Sequence, residues 1–399
     1  MAVAEALQRV LADARALPVE TVPLNEAHGR VLAEDLSAQR TQPPTAVSAM
    51  DGYAVRAADV VKTPVRLRLV GKVAAGHPFD GEVKIGETAR IFTGGVVPKG
   101  ADTVVIQEIA TREGDTITFQ KSTSKGRNVR DQGIDFTQGQ KLLSKGRRLT
   151  DRDVMLAAAM NYPKLSVHRR PKVTVLGTGD ELMAPGVSLK PGEIVYSNGF
   201  ALTALARNEG AEVSDLGITR DKLDDIAAAV RRARDSGADI LLTSGGASVG
   251  EHDLVQRALA SEGLDLSFWR VALRPGRPMM HGRLGTMQVL GVPGNPASSY
   301  VCAVLFLVPL IRRLSGRVDV EHLTQRALLG SDLPANDERA DYLRATLFEG
   351  PEGPVATPLP AQDSSLMAPL AKADCLLIRA PNAPAASSGS QCVILKLAL

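Results

Sequence analysis

The sequence predicts a multidomain protein with one α/β domain and flanking β domains, and three observations carry that expectation. At 399 residues the chain exceeds what a single hydrophobic core organises, so two to four domains are expected. Residues 171 to 317 alternate short buried-strand runs with helical segments, the pattern of a central, mostly parallel sheet covered on both faces. Residues 41 to 136 and 318 to 399 instead carry short β-prone runs between Gly, Pro and Asp turns, as small β domains do.

Each element has its own signal. Val3, Leu7, Val10, Leu11, Ala14 and Leu17 share one helical face, with Glu5, Arg9 and Asp13 between them, which is an amphipathic helix and not a secretory leader. The β runs Val65 to Val73, Thr88 to Thr93, Thr103 to Ile109 and Asp115 to Phe119 follow. Helical pattern returns over 137 to 170, clearest from Thr150 to Met160, where Thr150 or Asp151 caps the helix. The economical arrangement inserts a small β domain, 41 to 136, into a mixed N-terminal domain built from 1 to 40 and 137 to 170. In the α/β stretch, strands are expected at Lys172 to Leu176, Glu212 to Ile218, Asp239 to Thr243, Leu266 to Val271 and Met287 to Val292. Helices are expected at Asn198 to Asn208 (closed by Gly210), Asp221 to Asp235 (closed by Gly237), near Asp253 to Ala260, and from Pro296 towards Leu314. The tail, 318 to 399, reads as a β-barrel-like or sandwich domain with strands at Tyr342 to Phe348 and Val393 to Leu397.

Composition narrows the function. The 47 basic residues nearly balance 44 acidic ones, aromatics make up 4%, and no long basic run occurs, so neither nucleic-acid nor membrane-surface binding is expected. Cys302, Cys375 and Cys392 lie far apart and the six histidines are scattered, which predicts reduced thiols in a cytoplasmic protein without a zinc site. The most apolar run, Tyr300 to Ile311, is about half a membrane span and reads as a buried helix.

The chemistry concentrates in five loops. Ligands of open α/β sheets bind outside the carboxyl ends of the strands. There the sequence reads Gly177-Thr178-Gly179-Asp180-Glu181-Leu182, Thr219-Arg220-Asp221, Ser244-Gly245-Gly246-Ala247-Ser248-Val249-Gly250-Glu251-His252-Asp253, Arg274-Pro275-Gly276-Arg277-Pro278, and Val292-Pro293-Gly294-Asn295-Pro296. Glycines let backbone N–H groups approach an anion, and arginines can fork onto phosphate oxygens. Carboxylates beside that anion call for a divalent cation between them, magnesium (Mg2+) by preference. Each loop also has a plainer reading: Asp180 or Asp221 as helix caps, Arg274 and Arg277 as solvated charges, Pro293 to Pro296 as a rigid turn. Five such loops on one edge point to a phosphate-bearing ligand. In the β domain, Ser48-Ala49-Met50-Asp51-Gly52-Tyr53-Ala54, Phe92-Thr93-Gly94-Gly95 and Arg130-Asp131-Gln132-Gly133-Ile134-Asp135 are further candidates, each of which a hairpin could also explain.

Together these segments resemble the MoeA family, shared with the gephyrin E domain. The carrying motifs are Ser48 to Ala54, Phe92 to Gly95 with Pro98-Lys99-Gly100-Ala101-Asp102, Thr178 to Leu182, Ser244 to Gly250 and Pro293 to Pro296, in the family's order. The resemblance implies a MogA-like α/β domain and a molybdopterin molybdenumtransferase reaction, in which adenylylated molybdopterin and molybdate give molybdenum cofactor and AMP with magnesium. It also implies a homodimer whose cleft lies between the α/β domain of one protomer and the smaller domains of the other. An upstream MogA-like molybdopterin adenylyltransferase and downstream molybdoenzymes or cofactor-delivery proteins are its implied partners. Carried over by motif, Asp51, Thr93, Asp135, Glu181, Asp221 and Asp253 face the cleft, while Ser244, Gly245, Gly246, Pro293 and Pro296 line the pterin or nucleotide pocket. Glu181, Asp51 and Asp135 are the expected catalytic acids, with Asp51 and Glu181 near the metal; Thr93, Gly94, Arg274 and Arg277 are expected on the oxyanion. Arg274 and Arg277 stand where the family commonly has lysine, and Ile134 replaces an acid. Two rivals remain at this stage: adenylyl transfer from ATP to molybdopterin, and a non-enzymatic gephyrin-like scaffold.

Overall fold

A computed structural model describes residues 1–245 and 254–397. At its centre is a six-stranded sheet in the order Glu212–Thr219, Lys172–Thr178, Ile240–Ser244, Met287–Val292, Met280–Leu284, Asp265–Trp269. The first four strands are parallel, and Met280–Leu284 runs against both of its neighbours. Alternation along the strands explains the two faces. Val173, Val175, Leu242 and Val292 enter one apolar cluster with the helices Asn198–Asn208 and Pro296–Leu314. Leu176, Leu241 and Val289 enter the other, with Leu223–Asp235 and Leu254–Ser261. Pro296–Leu314 is apolar and long enough to cross a membrane, yet 83% of its most apolar window is buried inside the protein. A π-helical turn, Ala303–Leu307, sits just before Pro309, which has no N–H to continue an α ladder.

Two expected boundaries shift for identifiable reasons. The helix expected from Asp221 begins at Leu223 behind Lys222, and no side chain caps it. The strand expected to reach Val271 ends at Trp269, because Arg270 takes φ +88°.

The flanking segments of the mixed N-terminal domain pair directly. Val19–Pro23 is antiparallel to Lys164–His168 and Leu36–Ser37 to Lys141–Leu143, and Leu32, Leu36, Phe136, Leu149, Met160 and Leu165 form their shared core. Thr150 closes a capping box with Asp153 at the head of Asp151–Ala159. Between these segments lies a small β domain with a six-stranded sheet, its strands Glu87–Ile91 and Val65–Val73 at the centre. The N-terminal helix Val3–Ala12 does not join the mixed domain's core. Ala6, Val10 and Ala14 pack into the α/β core, Arg9 donates to the Ser267 carbonyl, and Ala272 N–H donates to the Met1 carbonyl. At the other end, strands Ala340–Gly350, Gly353–Pro358, Thr324–Leu329, Gln391–Lys396 and Cys375–Arg379 close on themselves as a five-stranded barrel.

Candidate active site

The register of the central sheet brings four of the candidate loops to one edge. Thr178 pairs with Thr219, Gly177 with Ser244, and Ser244 with Val292, so the chain leaves all four parallel strands at the same level. The loops enclose a cavity of about 640 Å³ lined by Thr178, Glu181, Tyr196, Ser197, Asn198, Ser244, Gly245, Gly294, Asn295 and Pro296, with Ser365 and Met367 from the barrel domain. Helices Asn198–Asn208 and Pro296–Leu314 both point their N-termini at it. Neither N-cap, Ser197 or Asn295, spends its side chain on its own helix, so the positive helix ends remain available to an anion.

Several lining residues have a demonstrable reason to be what they are. Gly245 takes φ +96°, and a Cβ there would stand 2.4 Å from the Thr178 carbonyl oxygen. Gly177 and Gly199 clear the Tyr196 ring, whose hydroxyl donates to Asp215 Oδ1 at 3.2 Å. Asn198 ties two loops together, donating from Nδ2 to Ser244 Oγ at 3.0 Å and to the Gly294 carbonyl at 2.7 Å. The Thr178 hydroxyl is buried beside the cavity and makes no hydrogen bond among the described residues.

The acids cluster at the neighbouring strand end. Asp221 N–H donates to Asp180 Oδ1 at 3.1 Å, and Glu181 lies on the cavity wall. Desolvation, reinforced by the charges of Asp180 and Glu181, raises the Asp221 carboxyl above its ordinary range. Among the described residues, no group of three or more His, Cys, Asp or Glu is gathered closely enough to hold a metal ion. Magnesium is usually held by one or two carboxylates together with substrate phosphates, which asks less of the protein.

The second candidate set lies in the β domain. Asp51 Oδ1 accepts from both the backbone N–H and the hydroxyl of Thr93, each at 2.8 Å, and these bonds hold its carboxyl below the usual range. Ser48 is fully buried beneath the pair, where its carbonyl accepts from Gly94 N–H at 2.9 Å. Asp135 is exposed on its own loop. None of Asp51, Thr93, Gly94 or Asp135 lines the 640 Å³ cavity, so the candidate residues fall into two separate sets within the chain.

Three further expectations resolve differently. Arg274 is not on the cavity wall: it belongs to the short strand Leu273–Arg274, which pairs with the barrel strand Ala340–Gly350. Its guanidinium is taken up by Asp341, Asp337 and Asn336. Arg277 is exposed and Pro293 buried, and neither lines the cavity. Gly246 and Asp253 lie outside the described residues. Sequence reasoning missed Tyr196, Asn198, Ser365 and Met367. The run Tyr196-Ser197-Asn198-Gly199 was a usable signal, since a glycine inside a helix's first turn marks a close approach.

Sequence profiles of three regions match in order: the MoeA N-terminal region (domain I and II) over residues 1–161, a probable molybdopterin binding domain over 174–313, and the MoeA C-terminal region (domain IV) over 326–397. The molybdopterin molybdenumtransferase of Haemophilus influenzae is 34% identical, over 90% of each chain. The chain belongs to the MoeA family. Another relative, the molybdopterin molybdenumtransferase of Bacillus subtilis, is 32% identical over 94% of this chain and 89% of its own. The crystal structure of a molybdopterin biosynthesis MoeA protein from Pyrococcus horikoshii covers 100% of both chains with a TM-score of 0.84 at 28% identity. MoeA membership accounts for the architecture as a whole: a MogA-like α/β domain with a mixed domain, an inserted β domain and a terminal barrel around it.

Proposed function

We propose that this MoeA-family chain is a molybdopterin molybdenumtransferase that inserts molybdate into adenylylated molybdopterin and releases AMP, in molybdenum-cofactor biosynthesis. The observation that carries the reading is the cavity at the sheet's carboxyl edge, where two helix N-termini and the Ser244-Gly245 turn meet the acids of the Thr178–Leu182 loop. Its volume suits a pterin phosphate, and its charge arrangement suits phosphate on one side with a cation on the other.

The chemistry divides among these groups. The helix ends and Thr178 hydroxyl bind and orient the phosphates, while Asn198 holds the Ser244 and Gly294 loops at a set separation. Magnesium, held by Glu181 together with the substrate phosphates, would neutralise phosphate charge as AMP departs. Attack of water on the phosphoanhydride gives AMP and the free pterin phosphate. Replacing one molybdate oxygen by the two substrate sulfurs releases one water, formed from that oxygen and the two thiol protons. Asp221, with its raised affinity for a proton, is placed to relay one of them. The Asp51–Thr93 pair is the second half-site, and a homodimer in which one protomer's β domain faces its partner's cavity would complete the cleft. We place the enzyme in the cytoplasm, between a molybdopterin adenylyltransferase and the recipients of the finished cofactor.

The test uses the purified chain with adenylylated molybdopterin, magnesium, and molybdate or tungstate. AMP release that requires the oxyanion supports the reading. Pyrophosphate release from ATP would replace it with adenylyl transfer, and no turnover with either substrate would leave a scaffold.

A further inference from the structure

Arg90 occupies a peculiar place behind the Asp51–Thr93 pair. It lies on strand Glu87–Ile91, opposite Tyr53 on one neighbouring strand and Lys72 on the other. Nη1 donates to the Gly52 carbonyl at 3.0 Å, and Nη2 donates to the Gln107 side-chain oxygen. Gln107 N–H in turn donates to the Asp51 carbonyl at 3.2 Å. The carbonyls of Asp51 and Gly52 are thus held by one ring of bonds that closes through the guanidinium. The same guanidinium lies over the Phe92 ring, 4.8 Å from its centroid, and over Tyr53 at 5.1 Å, while Lys72 stands 5.1 Å over Phe92. Phe92 directly precedes Thr93. Among the described residues the hydrogen-bond partners of the Arg90 guanidinium are neutral, the Gly52 carbonyl and the Gln107 side chain.

We propose that Arg90 is a positioning residue for the reaction: its fork and its flat face clamp the Asp51 and Thr93 loops together, so that the Asp51 carboxylate is presented in one orientation. The proposal rests on the reading of Asp51 and Thr93 as part of the catalytic cleft. A lysine could not substitute, because one ammonium cannot reach two acceptors in a plane and stack on an aromatic face at once. After the two Thr93 bonds, the Arg90 charge is the remaining influence that keeps the Asp51 carboxyl low.

The experiment compares wild type with Arg90→Lys, Arg90→Met and Gln107→Leu in the full-length protein. Three measurements are made: steady-state AMP release across pH, melting by circular dichroism, and titration of Asp51 by side-chain carboxyl NMR. Arg90→Met is expected to lower kcat about 10- to 100-fold, as misplacement on the order of 1 Å does, with KM changed less than about threefold. Its Asp51 titration and the acid limb of its rate profile should move to higher pH. Arg90→Lys should keep the wild-type titration and still lose rate. A folded Arg90→Met enzyme with wild-type kcat overturns the proposal, as does full rescue by lysine, which would reduce the role to charge alone. If Arg90→Met does not fold, Gln107→Leu opens the same ring with the charge in place, and a wild-type kcat there is equally fatal. A wild-type chain without oxyanion-dependent AMP release would remove the functional reading itself, an outcome distinct from unaltered kinetics in the variants.

Discussion

Gly245 approaches the backbone of a neighbouring strand in the cleft, and Gly245→Ala tests that constraint. The residue takes φ +96°, and the added Cβ would lie 2.4 Å from the Thr178 carbonyl oxygen and 3.1 Å from Thr178 Oγ1, where real Cβ atoms essentially never come inside 3.0 Å. The loop must therefore retreat from the strand end by roughly 0.6 Å, the difference between the first and last of those distances. Left-handed backbone costs an alanine about 1–2 kcal/mol in addition. Because a displacement on the order of 1 Å can lower an enzymatic rate about 100-fold, kcat/KM should fall about 10- to 100-fold. The assay is AMP release at saturating molybdate, paired with thermal melting. Gly237→Ala is the control: Gly237 takes φ +72° with nothing within 4 Å of its Cβ position, at the end of helix Leu223–Asp235. It carries left-handed backbone strain without the collision, so it should melt earlier and turn over normally. Equal activity in the two variants would refute the claim that the approach of Gly245 to Thr178 shapes the cleft.

Three other outcomes are expected. Asp221 binds its proton more tightly in the folded protein than in the unfolded chain, so its ionisation removes stability as pH rises from the ordinary aspartate range through the raised folded value. Asp221→Asn should accordingly raise the melting temperature at pH 7 while slowing turnover. Glu209 is buried and accepts from Arg312 at 2.9 Å through each oxygen and from Arg317 at 2.9 Å. Burial pulls its carboxyl up but the two arginines outweigh that, so its contribution is present above the ordinary glutamate range and fades as pH falls through the depressed folded value. Glu209→Gln should cost about 3–5 kcal/mol in denaturant unfolding near neutral pH, and progressively less in acid. Asp51→Asn keeps an acceptor for Thr93 and loses the charge; turnover should drop about 100-fold or more without loss of melting temperature, and a near-normal rate would dismiss Asp51 from catalysis.

Regular periodicity made the central domain readable. Helix Asn198–Asn208 and strand Met287–Val292 lie where apolar alternation and the closing glycine put them, because local pattern and burial agree there. Pattern failed where the decisive partner is distant in sequence. Arg274 reads as an anion ligand until Asp341 and Asp337 are folded against it, more than sixty residues downstream. Ser365 and Met367 reach the cavity only because the barrel packs beside it, a fact no spacing encodes. Asp221 showed the opposite error: the residue type suited a cap, but the helix starts two residues later and leaves its carboxyl among other acids. The terminal barrel was legible as β structure, whereas its closure depends on the pairing of Ala340–Gly350 with Cys375–Arg379.

The docking of Val3–Ala12 into the α/β core has a topological consequence. The α/β domain is discontinuous: it encloses the mixed domain, which in turn encloses the small β domain, so the units are nested one inside another along the chain. During synthesis the innermost unit is complete first, and the outermost must hold its opening helix in waiting until the last parallel strand arrives. The mixed domain also leaves and rejoins its host at two points, Leu17 N–H bonding the Leu314 carbonyl on one side and Lys172 opening the sheet on the other. A body tethered at both ends has fewer ways to move than a singly tethered one, and further bonds across the junction, Arg148 to the Asn208 carbonyl and Val318 N–H to the Gly146 carbonyl, restrict the placing of Asp51 more.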